Sequence, residues 1–81
     1  PIILIKKSFL KDGINVVNFL DKTKILSSKS EIRRAINENG IKINDIVLTD
    51  SNKIINLNNF VEKNYVKVSH GKKKHFKIKL N

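Results

Sequence analysis

Residues 28–44, Ser28-Lys29-Ser30-Glu31-Ile32-Arg33-Arg34-Ala35-Ile36-Asn37-Glu38-Asn39-Gly40-Ile41-Lys42-Ile43-Asn44, decide the fold. They read as one helix with both ends marked, followed at once by a strand. Ser28 and Glu31 stand at capping-box spacing: the Ser28 hydroxyl can accept from the Glu31 N–H, and the Glu31 carboxylate can reach back to the Ser28 N–H. Gly40 is expected as the left-handed residue just past the helix end. Ile32, Ala35 and Ile36 recur at helical spacing and make an apolar stripe. Lys29, Arg33 and Asn37 form a separate i, i+4 ridge, with Ser30 and Arg34 beside it. The stripe claims the core, and the side left to solvent is basic.

Upstream of this stretch, Asn15 is placed to cap a shorter helix from about Val16 to Lys24, with Val16, Phe19, Leu20 and Thr23 on one face. Neither helix is long enough to be stable alone, so each must pack on the other and on a sheet. Lys6 to Gly13 reads as a loop, with Asp12-Gly13 as a turn signal. Ile2 to Ile5 is a β-branched run, a strand or the tail of a linker. Residues 1–12 are thus expected to be a linker or short strand, and 13–81 the domain proper. Pro1 opens the sequence and no Met occurs, which leaves open both a removed initiator Met and excision from a longer protein.

Downstream, Ile41 to Leu48 reads as two strands around Asn44-Asp45. Asn-Gly would be the stronger hairpin signal, because Asp tolerates positive φ less well, so the turn type is open while the pairing is not. Thr49 to Asn52 is loop, and the irregular Ile54, Ile55, Leu57, Phe60 and Val61 are expected in a loop that still lends side chains to the core. Tyr65 to Ser69 and His75 to Leu80 both alternate with period two around His70-Gly71-Lys72-Lys73-Lys74. This is a hairpin with Val66, Val68, Phe76, Ile78 and Leu80 inward and Lys67, Ser69, His75, Lys77 and Lys79 outward. The expected fold class is therefore α+β: two short packed helices against a small, mainly antiparallel sheet with a C-terminal hairpin.

Eighty-one residues make one small domain with a marginal core. No cysteine is present to add a disulfide or a thiolate metal site. No apolar run approaches the roughly 20 residues of a membrane span, and Ile2 to Ile5 is too short for a signal-peptide core. Seventeen Lys and Arg against seven Asp and Glu leave a net charge of +10. Lys, Asn and Ile dominate, as codon bias in an A/T-rich genome would produce without function. The bases nevertheless cluster, which favours a polyanionic partner, nucleic acid before acidic membrane. After Glu62 there is no acid at all. Arg33 and Arg34 are the two arginines of a chain otherwise committed to lysine, and they are adjacent. Guanidinium offers a planar fork to phosphate that ammonium lacks.

Catalytic chemistry finds no constellation here. The acids are scattered, the three glycines form no phosphate loop, and His70 and His75 have no third ligand nearby for a metal. The aromatics are few and mostly inward, which argues against a platform for stacking single strands. What remains is a binding surface for a structured RNA, read through shape and backbone. A membrane-binding alternative needs an amphipathic helix with exposed apolar residues, which the pattern does not supply.

The same residues carry a resemblance. Ser28-Lys29-Ser30-Glu31 with Arg33-Arg34 and Ile36, then Gly40-Ile41-Lys42-Ile43-Asn44, resembles the RNA-binding module named after ribosomal small-subunit protein four, the αL RNA-binding motif. The ending His70-Gly71-Lys72-Lys73-Lys74-His75-Phe76-Lys77-Ile78-Lys79-Leu80-Asn81 looks like the extreme C-terminus of bacterial-type tyrosyl-tRNA synthetases. Asp45 departs from the glycine usual there. Ser27-Ser28-Lys29-Ser30 is superficially similar to the Lys-Met-Ser-Lys-Ser loop of class I synthetases, but that loop works beside a nucleotide-binding fold this chain cannot hold. The resemblance implies a cytoplasmic tRNA-binding appendage that grips tRNA(Tyr) at its long variable arm and nearby stem. It implies RNA-facing positions at Lys29, Ser30, Arg33, Arg34, Lys72, Lys73 and Lys74; Asn37 on the helix ridge, with Lys42, His75 and Lys77, completes the candidate RNA-binding set. It implies no cofactor in this domain, with ATP and Mg belonging to a catalytic part elsewhere in the parent. The isolated domain would be a monomer and the parent a homodimer, with no membrane partner. The alternative is a free-standing RNA- or ribosome-binding protein on the same module.

Overall fold

Both helices begin where the sequence supplies an oxygen to cap them. The computed structural model describes residues 2–60 and 65–80. Within them, strand β1 (Ile2–Ile5) leads through a 3-10 turn at Lys7–Leu10 to strand β2 (Ile14–Asn15) and helices α1 (Val16–Thr23) and α2 (Lys29–Asn37). Strands β3 (Ile41–Ile43), β4 (Ile46–Val47) and β5 (Ile54–Ile55) follow, then a 3-10 turn at Leu57–Phe60 and strands β6 (Tyr65–His70) and β7 (Lys74–Leu80). Asn15 Oδ1 accepts from the Val17 N–H at 2.8 Å, and Ser28 Oγ from the Glu31 N–H at 3.2 Å. The return bond of the capping box, from Glu31 to the Ser28 N–H, is not formed. Glu31 stands exposed in the first turn, where its charge suits the helix dipole.

The far end of α2 corrects one expectation. The left-handed residue is Asn39, with φ 58°, and Gly40 is not among the positive-φ residues. The Gly40 N–H donates to the Ala35 carbonyl at 2.8 Å and the Asn39 N–H to the Ile36 carbonyl at 3.0 Å. That is the bond pair of a Schellman end, with Asn where Gly is commoner. At Gly40 the constraint is one of space: a Cβ there would stand 3.3 Å from the Ala35 carbonyl oxygen, a tight contact.

Five strands form one sheet in the order β1-β7-β6-β3-β4. β1 runs parallel to β7, and the other neighbours are antiparallel. Asn44 and Asp45 both take positive φ, 52° and 69°, so the β3–β4 connection is the mirror-image type I′ turn. Lys67 stabilises it from the next strand. Its N–H donates to Asn44 Oδ1 at 3.1 Å, its carbonyl accepts from the Asn44 N–H at 2.8 Å, and its ammonium meets the Asp45 carboxylate at 3.0 Å.

One face of this sheet is buried under the helices. Ile41, Val66, Val68 and Ile78 join Phe19, Leu20, Ile32 and Ile36 in one core. Each such side chain, fully buried, stabilises by roughly 1.5–3 kcal/mol before chain entropy opposes it. The apolar stripes predicted for both helices are the buried ones: Val16, Phe19, Leu20 and Thr23 on α1, and Ile32, Ala35 and Ile36 on α2.

Four other expectations change. Ile54–Ile55 is not loop but pairs antiparallel with Ile14–Asn15, burying Ile55, while Phe60 packs edge-on to Phe19 at 6.4 Å. Val61 lies outside the described residues. The Lys6–Gly13 loop contains a 3-10 turn that drives Leu10 fully into the core. In the hairpin, the turn is Gly71–Lys73, with His70 and Lys74 in the strands. Ser69 is not exposed: it retains 5% of its surface, because it lies in register between the longer Lys42 and His75.

Candidate nucleic-acid interface

The apolar stripe of α2 faces the core, so helical geometry turns Lys29, Ser30, Arg33, Arg34 and Asn37 to solvent, and all five are exposed. Lys29 to Asn37 covers about 12 Å of helix. Glu31 and Glu38 stand three and four residues from Arg34, yet neither arginine forms an ion pair among the described residues. Both guanidinium groups leave their donors exposed to solvent.

The turn of the β6–β7 hairpin meets the end of this helix. The Gly71 N–H donates to the Gly40 carbonyl at 3.0 Å. Gly71 takes φ 69°, with nothing within 4 Å of the position a Cβ would occupy. Lys72, Lys73 and Lys74 are all exposed, and His75 Nε2 lies 3.3 Å from the Lys72 carbonyl oxygen. The basic turn therefore begins where the helix ridge stops. Sequence separates these groups by more than thirty residues, and the pairing of β3 with β6 joins them.

The face of the sheet turned away from the helices carries further lysines, with the exposed Ile2 and Leu4 in register beside Lys77 and Lys79. Across it, Lys42 lies opposite Ser69 and Ser69 opposite His75, while Lys67 lies opposite Lys77 and Tyr65 opposite Lys79. Like charges directly opposite one another are destabilising. Here the two ammonium groups have separate anchors: Lys67 on Asp45, and Lys77 over the Tyr65 ring at 5.0 Å from its centroid. Tyr65 is a resident of this face that sequence reasoning left unassigned. The period-two alternation with Lys67 was the signal that could have placed it there.

His70 and His75 lie on opposite faces. His70 shares the side of Ile41 and Val68, with its Nδ1 buried and unpartnered, whereas His75 is exposed. Among the described residues no group of three or more His, Cys, Asp or Glu could hold a metal ion. Among them, too, no helix is long and apolar enough to cross a membrane.

Comparison with known proteins shows the family of the chain. Residues 5–78 match the family described as Tyrosine--tRNA ligase SYY-like C-terminal domain. A tyrosine--tRNA ligase of Rickettsia massiliae (strain Mtu5) is 38% identical over 80 residues, covering 99% of this chain and 20% of that protein. One of Ehrlichia ruminantium (strain Gardel) is 39% identical over 80 residues, covering 99% of this chain and 19% of that protein. The chain thus spans about one fifth of the length of the curated relatives it matches. With a family match that takes in both helices and every strand of the sheet but most of β1 and the end of β7, the chain belongs to the family of tyrosine--tRNA ligase C-terminal domains.

Proposed function

We propose that residues 13–81 hold tRNA(Tyr) for a tyrosine-tRNA ligase, gripping its long variable arm and the nearby stem. The observation that carries this reading is the Gly71 N–H bond to the Gly40 carbonyl, which makes a single surface of the α2 ridge and the lysine turn. Lys29, Arg33 and Arg34 supply phosphate contacts from the helix, and Ser30 and Asn37 add neutral donors beside them. Lys72, Lys73 and Lys74 continue the track, with Lys42, His75 and Lys77 at its sheet side. Such contacts fix register and orientation on a folded RNA without reading base edges. Tyrosine attachment, with its ATP and Mg, is the work of the remainder of a cytoplasmic, homodimeric parent. The membership of the chain in the ligase family supports this reading over a free-standing RNA-binding protein.

Hydroxyl-radical footprinting of tRNA(Tyr) with the chain tests it. Protection concentrated on the variable arm and adjoining stem is expected. Protection spread evenly over the tRNA, or confined to the anticodon stem, would overturn it.

A further inference from the structure

We infer that Tyr65 is a stacking position for an unpaired nucleotide of the bound RNA, and that Lys77 occupies that position when no RNA is present. This deepens the RNA-binding reading above and rests on it. Tyr65 lies on the open face of the sheet and is half-buried there. Its neighbours on that face are cationic: Lys79 directly opposite, Lys67 two residues along the strand, and Lys77 on the diagonal. The Lys77 ammonium stands 5.0 Å from the ring centroid. Among the described residues, Asp45 is the acid bonded to this group of lysines, and it is engaged by Lys67.

An aromatic ring that holds one ammonium group, with further lysines set beside it by strand register, suits a nucleotide better than it suits a duplex. A stacked base needs an open π-face, and its own phosphates need cations within a side chain's reach of that face. A cation held on the ring in the free protein is weakly bound, because exposed cation–π contacts contribute little. When a base arrives, the ammonium can leave the ring for the phosphate of the same nucleotide. The Lys67–Lys77 repulsion across the strands then falls as well, since the incoming phosphate offsets one of the two charges. No bond is made or broken in this exchange. A regular RNA helix keeps its bases stacked on one another, so it gains only the lysine contacts. The surface therefore discriminates between paired and unpaired segments, which the α2 ridge and the lysine turn do not.

The chain has one tyrosine and no tryptophan, so its intrinsic fluorescence reports on Tyr65 alone. The test titrates the chain with two RNAs of equal length, a hairpin carrying unpaired nucleotides and a fully paired duplex. Strong quenching by the hairpin and little by the duplex is expected. Affinity for each RNA, read by polarisation of end-labelled RNA, is then measured for Tyr65→Leu and Tyr65→Phe. Tyr65→Leu should weaken hairpin binding about fivefold to a hundredfold, the range of one lost stack, and leave the duplex unchanged. Tyr65→Phe should keep most of the affinity, since the ring and not the hydroxyl is used. Equal losses on both RNAs, or hairpin binding that survives Tyr65→Leu, would overturn the inference while leaving the phosphate-binding reading in place. Failure to bind either RNA would overturn both.

Discussion

The junction between α2 and the hairpin turn depends on two adjacent residues with different duties, and exchanging them separates those duties. Asn39 holds φ 58°, whereas Gly40 has an ordinary φ but no room for a Cβ closer than 3.3 Å to the Ala35 carbonyl. Placing Ala in a left-handed position costs about 1–2 kcal/mol, and Asn tolerates it better than most residues, so Asn39→Ala should destabilise by about 1 kcal/mol. Asn39→Gly should be neutral within a few tenths of a kcal/mol, since easier access to positive φ is offset by greater freedom in the unfolded chain. Gly40→Ala combines two opposed effects. Restricting the unfolded chain gains about 0.4–1 kcal/mol. The tight contact with a carbonyl already fixed by the Gly40 N–H removes most of that gain. In a domain of this size 1 kcal/mol moves the melting temperature by about 4–8 °C. Thermal denaturation followed by circular dichroism should therefore show a drop of that order for Asn39→Ala and little change for Gly40→Ala. A larger drop for Gly40→Ala than for Asn39→Ala would refute the assignment of the left-handed position.

Two further outcomes are expected. Arg33→Ala should weaken binding of tRNA(Tyr) by about 1–3 kcal/mol with an unchanged melting curve, and Arg33→Lys should recover only part of the loss, because charge returns without the fork. Asp45→Asn removes an ion pair of about 0.2–1 kcal/mol but places a residue more at ease at φ 69°, so the effect to read is the salt dependence: the variant should fare worse relative to the parent at low salt than in concentrated salt, as chemical denaturation at two ionic strengths would show.

The helices and the hairpin were legible because their signals are local. Caps at Asn15 and Ser28, stripes at helical spacing and period-two alternation all lie within a few residues of one another. Non-local pairing hid the rest. Ile54–Ile55 is too short to show alternation, and its strand character exists only because Ile14–Asn15 lies beside it. Burial of Ser69 depends on Lys42 and His75, which register brings to its two sides. Asn39 and Gly40 are both good left-handed residues, and spacing alone does not choose between them. At the candidate interface, the exposure of the α2 ridge follows from the stripe opposite it. Its meeting with the lysine turn does not, because the Gly40–Gly71 bond follows from the pairing of β3 with β6. Tyr65 was readable by parity but gains meaning only from the lysines that β7 sets around it.

On the proposed reading, the α2 ridge and the lysine turn hold one RNA together. Titrating tRNA(Tyr) with the chain over a range of salt concentrations tests it most directly. Two or three phosphate contacts from each element predict a slope of log affinity against log salt of roughly −3 to −5. Neutralising one residue of each element, Arg33→Ala with Lys73→Ala, should make the slope shallower by about two. Lys53→Ala, at an exposed lysine just before β5 and apart from both elements, should leave slope and affinity unchanged. If Lys53→Ala weakens binding as much as Arg33→Ala does, the RNA is held by diffuse charge, and the shared surface of helix and turn is not its site.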